Sequence, residues 1–362
     1  MSPRPATEIH MQCKQTSLAL ALALVIGIAQ ISFASAVCAG ETRFGGTMFF
    51  DITHLDEHYN DTGTTDASGY GLDVKRFYFG VNHTLDDTWS LALTTDANYS
   101  SSDGQTNLFV KKAYVEGAFS SAAVLRIGSA DTPWIGYVDK AQGFRYVEKG
   151  LVDRSKFGSS ADWGLHLGGT LAGEQFDYAV SVVSGRGYKN ISRSGRMDVE
   201  ARLAYTPTKH MVFALGAYSG TRGKDLESTP AQHTARRVSA MVAYIGESTR
   251  IGADYFQADD WNTVTAPVSD TSDGWSAWAS HAFDERYTVF ARMERARPSR
   301  DLDSYAQDRY AHLGLEYAVT KGFDLALVWK QAALDVGSQG VHGTLTRNRR
   351  THEIGAWGQV AF

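Results

Sequence analysis

From about residue 43 to its end, the chain breaks into short segments in which apolar and polar residues alternate one by one. Phe44, Met48, Phe50 and Ile52 share one parity, and Thr47, Asp51 and Thr53 the other. Phe77, Phe79 and Val81 alternate with Arg76, Tyr78 and Asn82. Leu203 and Tyr205 alternate with Arg202, and Leu313, Leu315 and Tyr317 with His312 and Glu316. A two-residue period puts one set on each face of a β-strand. The segment at 275–283 is weaker, because Trp275 and Trp278 fall on opposite faces. Counting segments gives sixteen strands, joined by seven short turns and eight longer connections in alternation. The turns include Asp86-Asp87, Ala172-Gly173-Glu174 and Thr320-Lys321-Gly322; the polar connections include 54–69, 185–197, 221–234, 257–273, 295–308 and 333–350. Pro133, Pro207, Pro230, Pro267 and Pro298 all fall between segments, as expected of a residue that cannot donate to a sheet ladder.

Alternation alone also fits a soluble half-buried sheet. Three features choose a membrane barrel instead. Long and short connections alternate, as in outer-membrane barrels. One parity is apolar nearly throughout while the other carries charge, which requires a wet interior. Aromatics (Phe44, Trp89, Tyr99, Phe119, Phe176, Tyr205, Tyr244, Tyr287, Phe323, Trp329, Phe362) sit near strand ends, where interfacial girdles lie. The expected fold is all-β: a transmembrane antiparallel β-barrel of sixteen strands over residues 40–362, in one domain.

The interval 131–160, DTPWIGYVDKAQGFRYVEKGLVDRSKFGSS, is the longest without alternation. It holds five aromatics, five basic and four acidic residues, and only one proline. Connections beyond about 12–15 residues are uncommon and usually functional or disordered. This composition is not that of a disordered tract. The expectation is a loop that folds inward and narrows the pore; the alternative is a loop lying on the rim.

The first 39 residues read as an export signal rather than as fold. Lys14 precedes the apolar run 18–28, and cleavage is expected after Ala36 or Ala39. The start codon is left open between Met1 and Met11. The apolar run is shorter than the roughly 20 residues that span a bilayer. A lipoprotein anchor at Cys38 is disfavoured by the bulky Val37. Cys13 and Cys38 are the only cysteines, so no internal disulfide is available after export, and a closed hydrogen-bonded barrel can supply stability instead. Mean hydropathy is −0.27. The balance of 35 basic to 40 acidic residues argues against nucleic-acid binding.

Sites of chemistry are sparse. His54-Leu55-Asp56-Glu57-His58 has the H-x-x-E-H spacing of one zinc-peptidase class, but that chemistry needs a helix, and the stretch is expected in a polar loop. His166 and Ser181 could pair on neighbouring strands, as such groups do in most wet lumens. The lumen-parity aromatics Phe49, Tyr78, Tyr114, Phe290 and Trp357 could guide sugars, but they do not fall on consecutive strands. Lumen parity also holds bases (Arg76, Lys112, Arg126, Arg202, Arg237, Arg250, Arg292, Lys330) and acids (Asp51, Asp96, Glu116, Asp177, Asp198, Glu200, Asp254, Glu294, Glu316). Segregated on opposed walls, they would create a transverse field that sorts solutes weakly by sign.

The terminal strand ending in Phe362, with Ile354 and Val360 on its apolar parity, resembles the C-terminal signature of outer-membrane barrels, which the barrel assembly machinery reads. The stretch from Asp73 to Val81 (DVKRFYFGV) with Asp87 and Trp89 is similar to the first hairpin of porins related to the phosphate-selective O/P type. So are Arg126-Ile127-Gly128 and Thr132-Pro133-Trp134. Phe144-Arg145-Tyr146-Val147-Glu148-Lys149, with Asp153-Arg154, lies where that family's pore-constricting loop turns inward. The resemblance implies a homotrimer, each barrel with its own pore. Loop position and lumen parity on strands two, four and five, near the loop's root, point to a constriction at Lys140, Arg145, Glu148 and Lys149 with Arg76, Lys112 and Arg126. Phosphate selectivity transfers weakly, since the loop has nearly balanced charge.

The function expected is passive diffusion of small hydrophilic solutes through a water-filled outer-membrane channel, with a mild preference for anions such as phosphate. No cofactor, metal, nucleic-acid partner or catalysis is expected. The alternatives are an outer-membrane barrel enzyme of lipase or protease type and a secreted soluble β-protein that binds carbohydrate.

Overall fold

The computed structural model describes residues 40–59, 67–100, 105–191, 193–337 and 348–362; the expected export signal lies outside them. Sixteen antiparallel strands close on themselves. In chain order they are β1 (Thr42–Tyr59), β2 (Ala67–Thr84), β3 (Trp89–Ser100), β4 (Gln105–Ser120), β5 (Ala123–Asp131), β6 (Ala161–Leu171), β7 (Phe176–Val183) and β8 (Asp198–Thr208). Then follow β9 (Met211–Gly220), β10 (Ala235–Ile245), β11 (Thr249–Asp259), β12 (Thr271–Ala282), β13 (Tyr287–Arg297), β14 (Gln307–Thr320), β15 (Phe323–Asp335) and β16 (Arg349–Ala361). Each strand pairs with its sequence neighbours, and β1 pairs with β16 from Thr47↔Ala361 to Tyr59↔Arg349. Closure leaves no open edge whose unpaired backbone groups would face lipid.

The expected parity is borne out along the wall. Leu203, Leu215, Val242, Met293, Leu313, Leu327 and Ile354 project outward and are exposed, while Asp96, Asp198, Glu200, Arg237, Asp254, Arg292 and Glu294 are buried inside. So continuous an apolar exterior is stable only against lipid. Trp275 and Trp278 do lie on opposite faces, the first exposed and the second buried. At the short-turn end, outward aromatics pair into a girdle: Trp89 with Phe119, Phe176 with Tyr205, and Tyr287 with Tyr317.

Several strands run past their expected ends: β11 to Asp259, β13 to Arg297 and β15 to Asp335 enter the expected connections 257–273, 295–308 and 333–350. The hairpin of β1 and β2 runs well past the expected strand ends, so residues 54–59 and 67–69 are strand, not loop. His54-Leu55-Asp56-Glu57-His58 is therefore extended. Four residues of strand separate its two imidazoles by about 13 Å, too far to share a metal; His54 packs on Tyr70 and His58 pairs with Asp56 at 2.9 Å. Pro207 lies within β8 rather than beyond it, but where the pairing with β9 slips between Tyr205 and Thr208. A residue without an N–H is tolerated at such an irregularity.

The interval between β5 and β6 leaves the sheet and folds into the barrel. It forms helix α1 (Ile135–Gln142) and the single turn α2 (Leu151–Arg154). Ile135, Val138, Ala141 and Gln142 make one buried stripe of α1, at the spacing of a helix face. Gly143, at φ 76°, ends the helix by donating its N–H to Asp139 O at 2.9 Å. With ψ at −173° this is an extended positive-φ conformation that essentially only glycine adopts. Phe144 at φ 53° continues the reversal.

Candidate functional site

Two apolar contacts hold the inward loop. Trp134, Ile135, Val138, Leu151, Val152 and Phe157 pack with Tyr218, Met241, Phe256, Trp261 and Trp278 of the wall and outer loops into one buried cluster. Burying a large apolar side chain is worth about 1.5–3 kcal/mol. The indole of Trp134 rests on bare backbone: a Cβ on Gly216 would stand 2.5 Å from its Cε3. Farther along, Tyr146 and Val147 pack with Phe49, Phe290, Ala326, Val328 and Trp357, and Phe144 stacks on Phe290 at 3.9 Å. The aromatics Phe49, Tyr78 and Trp357 do lie on consecutive strands, because closure makes β16, β1 and β2 neighbours. They form no open track; Phe49 and Trp357 are buried, in one cluster with Tyr146 and Val147.

The loop's backbone carbonyls are then held one after another by wall cations. Arg202 on β8 donates to Pro133 O at 2.8 Å, and Arg237 on β10 to Phe157 O. Arg250 on β11 reaches Lys140 O at 3.3 Å. Arg292 on β13 donates to Lys149 O at 2.8 Å, and Lys330 on β15 to Val147 O at 2.7 Å. A buried carbonyl left without a donor is costly. Five of the eight lumen bases expected to face solutes thus fasten the loop instead.

The acids complete this scaffold. Arg237 pairs with Glu200 at 2.6 Å, Arg202 with Asp177, and Lys330 with Glu353 at 3.4 Å. Arg154 on the loop meets Glu294 at 2.5 Å and Asp308 at 3.1 Å. Glu148, approached by Lys330 at 3.9 Å, is half-buried, and its desolvation pushes its carboxyl up; Lys330, Arg292 and Arg154 outweigh that and hold it below its ordinary value. Lumen charges therefore neutralise one another locally, and the segregation onto opposed walls that a transverse field needs is not what these pairs form.

The residues expected at the constriction divide into two groups. Arg76, Arg145, Glu148 and Lys149 line one cavity of about 330 Å³, together with Phe49, Asp73, Lys75, Tyr146, Lys330, Glu353 and Trp357. Arg145 is braced by Asp139 at 2.7 Å and Asp153 at 3.0 Å, and Lys149 lies 3.9 Å from Asp153. Arg76 pairs with Asp96 at 2.7 Å. Lys112, Arg126 and Lys140 do not line this cavity. Lys112 pairs with Asp131 at 2.5 Å, Arg126 with Glu116 at 2.6 Å, and Lys140 is exposed at the end of α1. A second cavity of about 630 Å³ shares Glu148, Lys330 and Glu353 with the first and reaches Tyr59, Arg222, Pro298 and Arg349 near the long-loop mouth.

Strict alternation misses two lumen cations, and the reason is a pair of β-bulges. Between β1 and β2 the register slips at Phe49/Phe50, leaving Lys75 as the extra residue. Between β3 and β4 it slips at Thr94/Thr95, leaving Lys111 extra. A bulge re-aims a side chain, so Lys75 and Arg76 both turn inward, as do Lys111 and Lys112. Lys75 pairs with Asp51 at 3.1 Å and Asp73 at 3.2 Å, and Lys111 lies 4.5 Å over the Tyr78 ring. The signal in the chain is two adjacent basic pairs, each where parity changes. The connection between β7 and β8 also folds inward: Tyr188 donates to Asp96 at 2.5 Å, and Lys189 lies 4.2 Å over Phe109.

Other chemistry is limited. His166 and Ser181 do meet at 2.8 Å, but among the described residues no side chain bonds the other, buried ring nitrogen, so no carboxylate orients the ring. Among the described residues no group of three His, Cys, Asp or Glu side chains could hold a metal ion.

A closed sixteen-stranded barrel narrowed by an inward loop after its fifth strand is the fold of the general porins. No known family model and no curated sequence matches the chain. Solved structures match it in fold. The outer membrane channel DcaP of Acinetobacter baumannii is 11% identical over 91% of this chain and 99% of its own, with a TM-score of 0.62. The anion-selective porin from Comamonas acidovorans is 12% identical over 89% and 100%, with a TM-score of 0.61. OmpT, an outer membrane protein of Vibrio cholerae, in its trimer form, is 13% identical over 90% and 100%, with a TM-score of 0.58.

Proposed function

We propose that this chain is a porin of the bacterial outer membrane: a passive, water-filled channel for small hydrophilic solutes, without catalysis or cofactor. The observation that carries this reading is the fastening of the inward loop. Five wall cations and two apolar clusters hold it inside a lipid-compatible barrel. So much structure spent on narrowing a lumen suits a sieve. The cavity beside it is lined by Lys75, Arg76, Arg145 and Lys149 with Asp73, Glu148 and Glu353 interspersed among them.

The eyelet residues of this reading are Arg76, Arg145, Glu148 and Lys149, to which we add Lys75, Lys111 and Lys189; Lys112, Arg126 and Lys140 act at its margins. The cations support a mild preference for anions such as phosphate, in the manner of the O/P-type porins, while the neighbouring acids keep that preference shallow. Residues 1–39 are the export signal in this reading, cleaved after Ala36 or Ala39. Assembly goes through recognition of the terminal strand by the barrel machinery. The working state is a homotrimer in lipid, by analogy with the trimer form of OmpT.

Single-channel recording in planar bilayers tests the reading. Purified folded protein should insert in discrete, ohmic conductance steps. A heat-modifiable, correctly folded barrel that inserts and never conducts would overturn it.

A further inference from the structure

On the lipid face, one row of directly opposed residues runs from β9 to β14: Leu215, Ala240, Tyr255, Trp275, Arg295 and Arg309. The row turns from apolar to basic as it goes, and it climbs. Leu215 stands four residues from the short-turn end of β9, and Arg309 eleven from that of β14. Strands tilted by about 35–45° impose such a climb, roughly 3 Å for each strand spacing of about 4.8 Å. Arg295 and Arg309 lie eight residues beyond the girdle pair Tyr287 and Tyr317. That is roughly 27 Å along the strands and about 20 Å in height. An apolar band about 25 Å tall therefore ends near these guanidiniums, on the long-loop side.

Below the arginines the wall is indented. Ala240 and Ala253 present only a methyl group outward, and Phe213, Leu215, Tyr255 and Trp275 stand around them. The groove holds about 560 Å³, within the range of ligand sites, about 300 to 1,000 Å³. Trp275 lines it and faces Arg295 across the ladder, so groove and cations are continuous.

The cations are in excess. Arg295 and Arg309 are like charges directly opposed on one face, an unfavourable pairing. Arg295 is exposed and, among the described residues, has no carboxylate within ion-pair distance. Arg309 meets Asp335 at 2.6 Å, but Asp335 also serves Arg350. Asp273 is shared by Arg297 and Arg300 in the same way. The other carboxylates of this rim accept from neutral donors, Asp301 from Thr271 at 2.7 and 2.8 Å and Asp259 from Gln257 at 3.4 Å.

We propose that this face holds one lipid of the outer leaflet, an acylated phosphate monoester, with its phosphate on Arg295 and Arg309 and an acyl chain in the groove. Guanidiniums suit phosphate because each offers two parallel N–H donors. The phosphate supplies the counter-charge that Arg295 lacks, and the lower dielectric at the hydrocarbon boundary strengthens the pairing. An acyl chain lying over Ala240 and Ala253 gains contacts that a flat wall does not offer. From the channel reading the inference takes only the orientation, long loops outward.

Native mass spectrometry of the folded barrel, released from micelles doped with phosphatidic acid, tests it. One retained lipid per chain is expected. Phosphatidylcholine, whose phosphate is a diester screened by choline, should be retained about tenfold less. R295Q should weaken retention by about tenfold; it removes no ion pair or hydrogen bond within the protein, so the barrel survives it. A253F, which fills the groove and leaves the cations, should weaken retention as well. Lys321→Gln, an exposed cation in the turn between β14 and β15, should change nothing, and millimolar inorganic phosphate should not displace the lipid. Equal retention of the two lipids, wild-type retention in either groove or arginine variant, or displacement by inorganic phosphate overturns the inference. So does an oligomer that lacks the lipid its monomers bind, because a second copy then covers this face. A barrel that conducts without selecting the lipid sinks this site and leaves the channel reading; one that selects the lipid without conducting does the reverse.

Discussion

Arg154 and Glu294 are 140 residues apart in the chain and 2.5 Å apart in the fold. The pair joins the end of α2 to the inner face of β13, and Asp308 on β14 closes on the same guanidinium. Glu294 is fully enclosed and Arg154 nearly so. Removing one partner of a buried pair costs about 3–5 kcal/mol when the other charge is stranded; Glu294 keeps Arg292 at 3.2 Å, so the cost here falls below that range. Arg154→Ala should therefore loosen the loop inside an intact barrel. Single-channel current should become noisier, and added protease should cut within 143–157 in protein that still shows the folded gel mobility. Recordings as quiet as wild type would mean that the apolar clusters suffice.

The contact between Trp134 and Gly216 makes a second test. Gly216→Val places methyl groups where the indole now lies, and overpacking of this kind costs about 1–3 kcal/mol. The first helix should shift toward the pore axis or be released, changing conductance in either case. Gly136→Ala is the control: it lies in the same helix with open space around its would-be Cβ. Alanine favours a helix over glycine by about 1 kcal/mol, so that variant should conduct as wild type.

Selectivity should follow the cations that line the constriction rather than those that hold the loop. Arg145 is unsuitable for charge reversal, since a glutamate there would join Asp139 and Asp153. Lys149→Glu combined with Lys75→Glu should move the reversal potential toward cations. A charge a few ångströms from a passing ion acts by a few kcal/mol at intermediate dielectric before screening, and salt screens over about 8 Å. Arg250 cannot serve as the remote control, because it reaches Lys140 O. Arg236→Glu, on the outer face, should leave the reversal potential unmoved. Equal reversal potentials in the double variant and wild type would remove both lysines from the eyelet.

Phe362 separates recognition from stability. Its ring is 66% exposed, and its main chain bonds Gly46 in both directions at 3.0 and 3.1 Å, bonds that an alanine retains. Phe362→Ala should therefore cost little in unfolding by denaturant yet reduce the yield of assembled barrel in cells. Normal assembly would detach the terminal residue from targeting; a large loss of stability would make its role one of packing.

Asp225 links the two connections that follow β7 and β9. Its carboxylate accepts from Ala231 N at 2.9 Å and Arg196 Nε at 3.1 Å, and its carbonyl accepts from Gly195 N at 2.7 Å. The backbone donor of Ala231, then Arg196, hold its carboxyl below the ordinary value. A depressed carboxyl stabilises the folded loop above its unfolded value, about 3.9, and that contribution is lost as pH falls through the folded value. Cleavage within 193–197 by an acid-active protease should stay slow near pH 5 and rise only below about pH 4. Asp225→Asn should cleave faster already at pH 5. Identical pH profiles for the two proteins would count against the link.

Much of this architecture is local and was therefore open to reading from the chain. Two-residue alternation reports which face of a strand meets lipid, as Leu313 and Leu315 do opposite His312 and Glu316. Breaks in it report turns, so strand number, the alternation of short and long connections and the exceptional interval 131–160 follow without coordinates, while strand ends and the inward path of that interval do not. What alternation cannot report is anything that closure or a slipped register decides. Phe49 and Trp357 lie at opposite ends of the chain and meet because β1 pairs with β16. Lys75 and Lys111 turn inward because a bulge costs one residue of parity, which periodicity registers only as noise. The charged stretch after Ile52 looks like loop because strands that rise past the membrane need no apolar face. Arg202, Arg237, Arg292 and Lys330 have lumen parity whether they meet solute or loop, since parity gives a direction and not a partner. Only the folded loop, with its packed carbonyls shut off from water and needing donors, turns those cations from pore lining into fastenings.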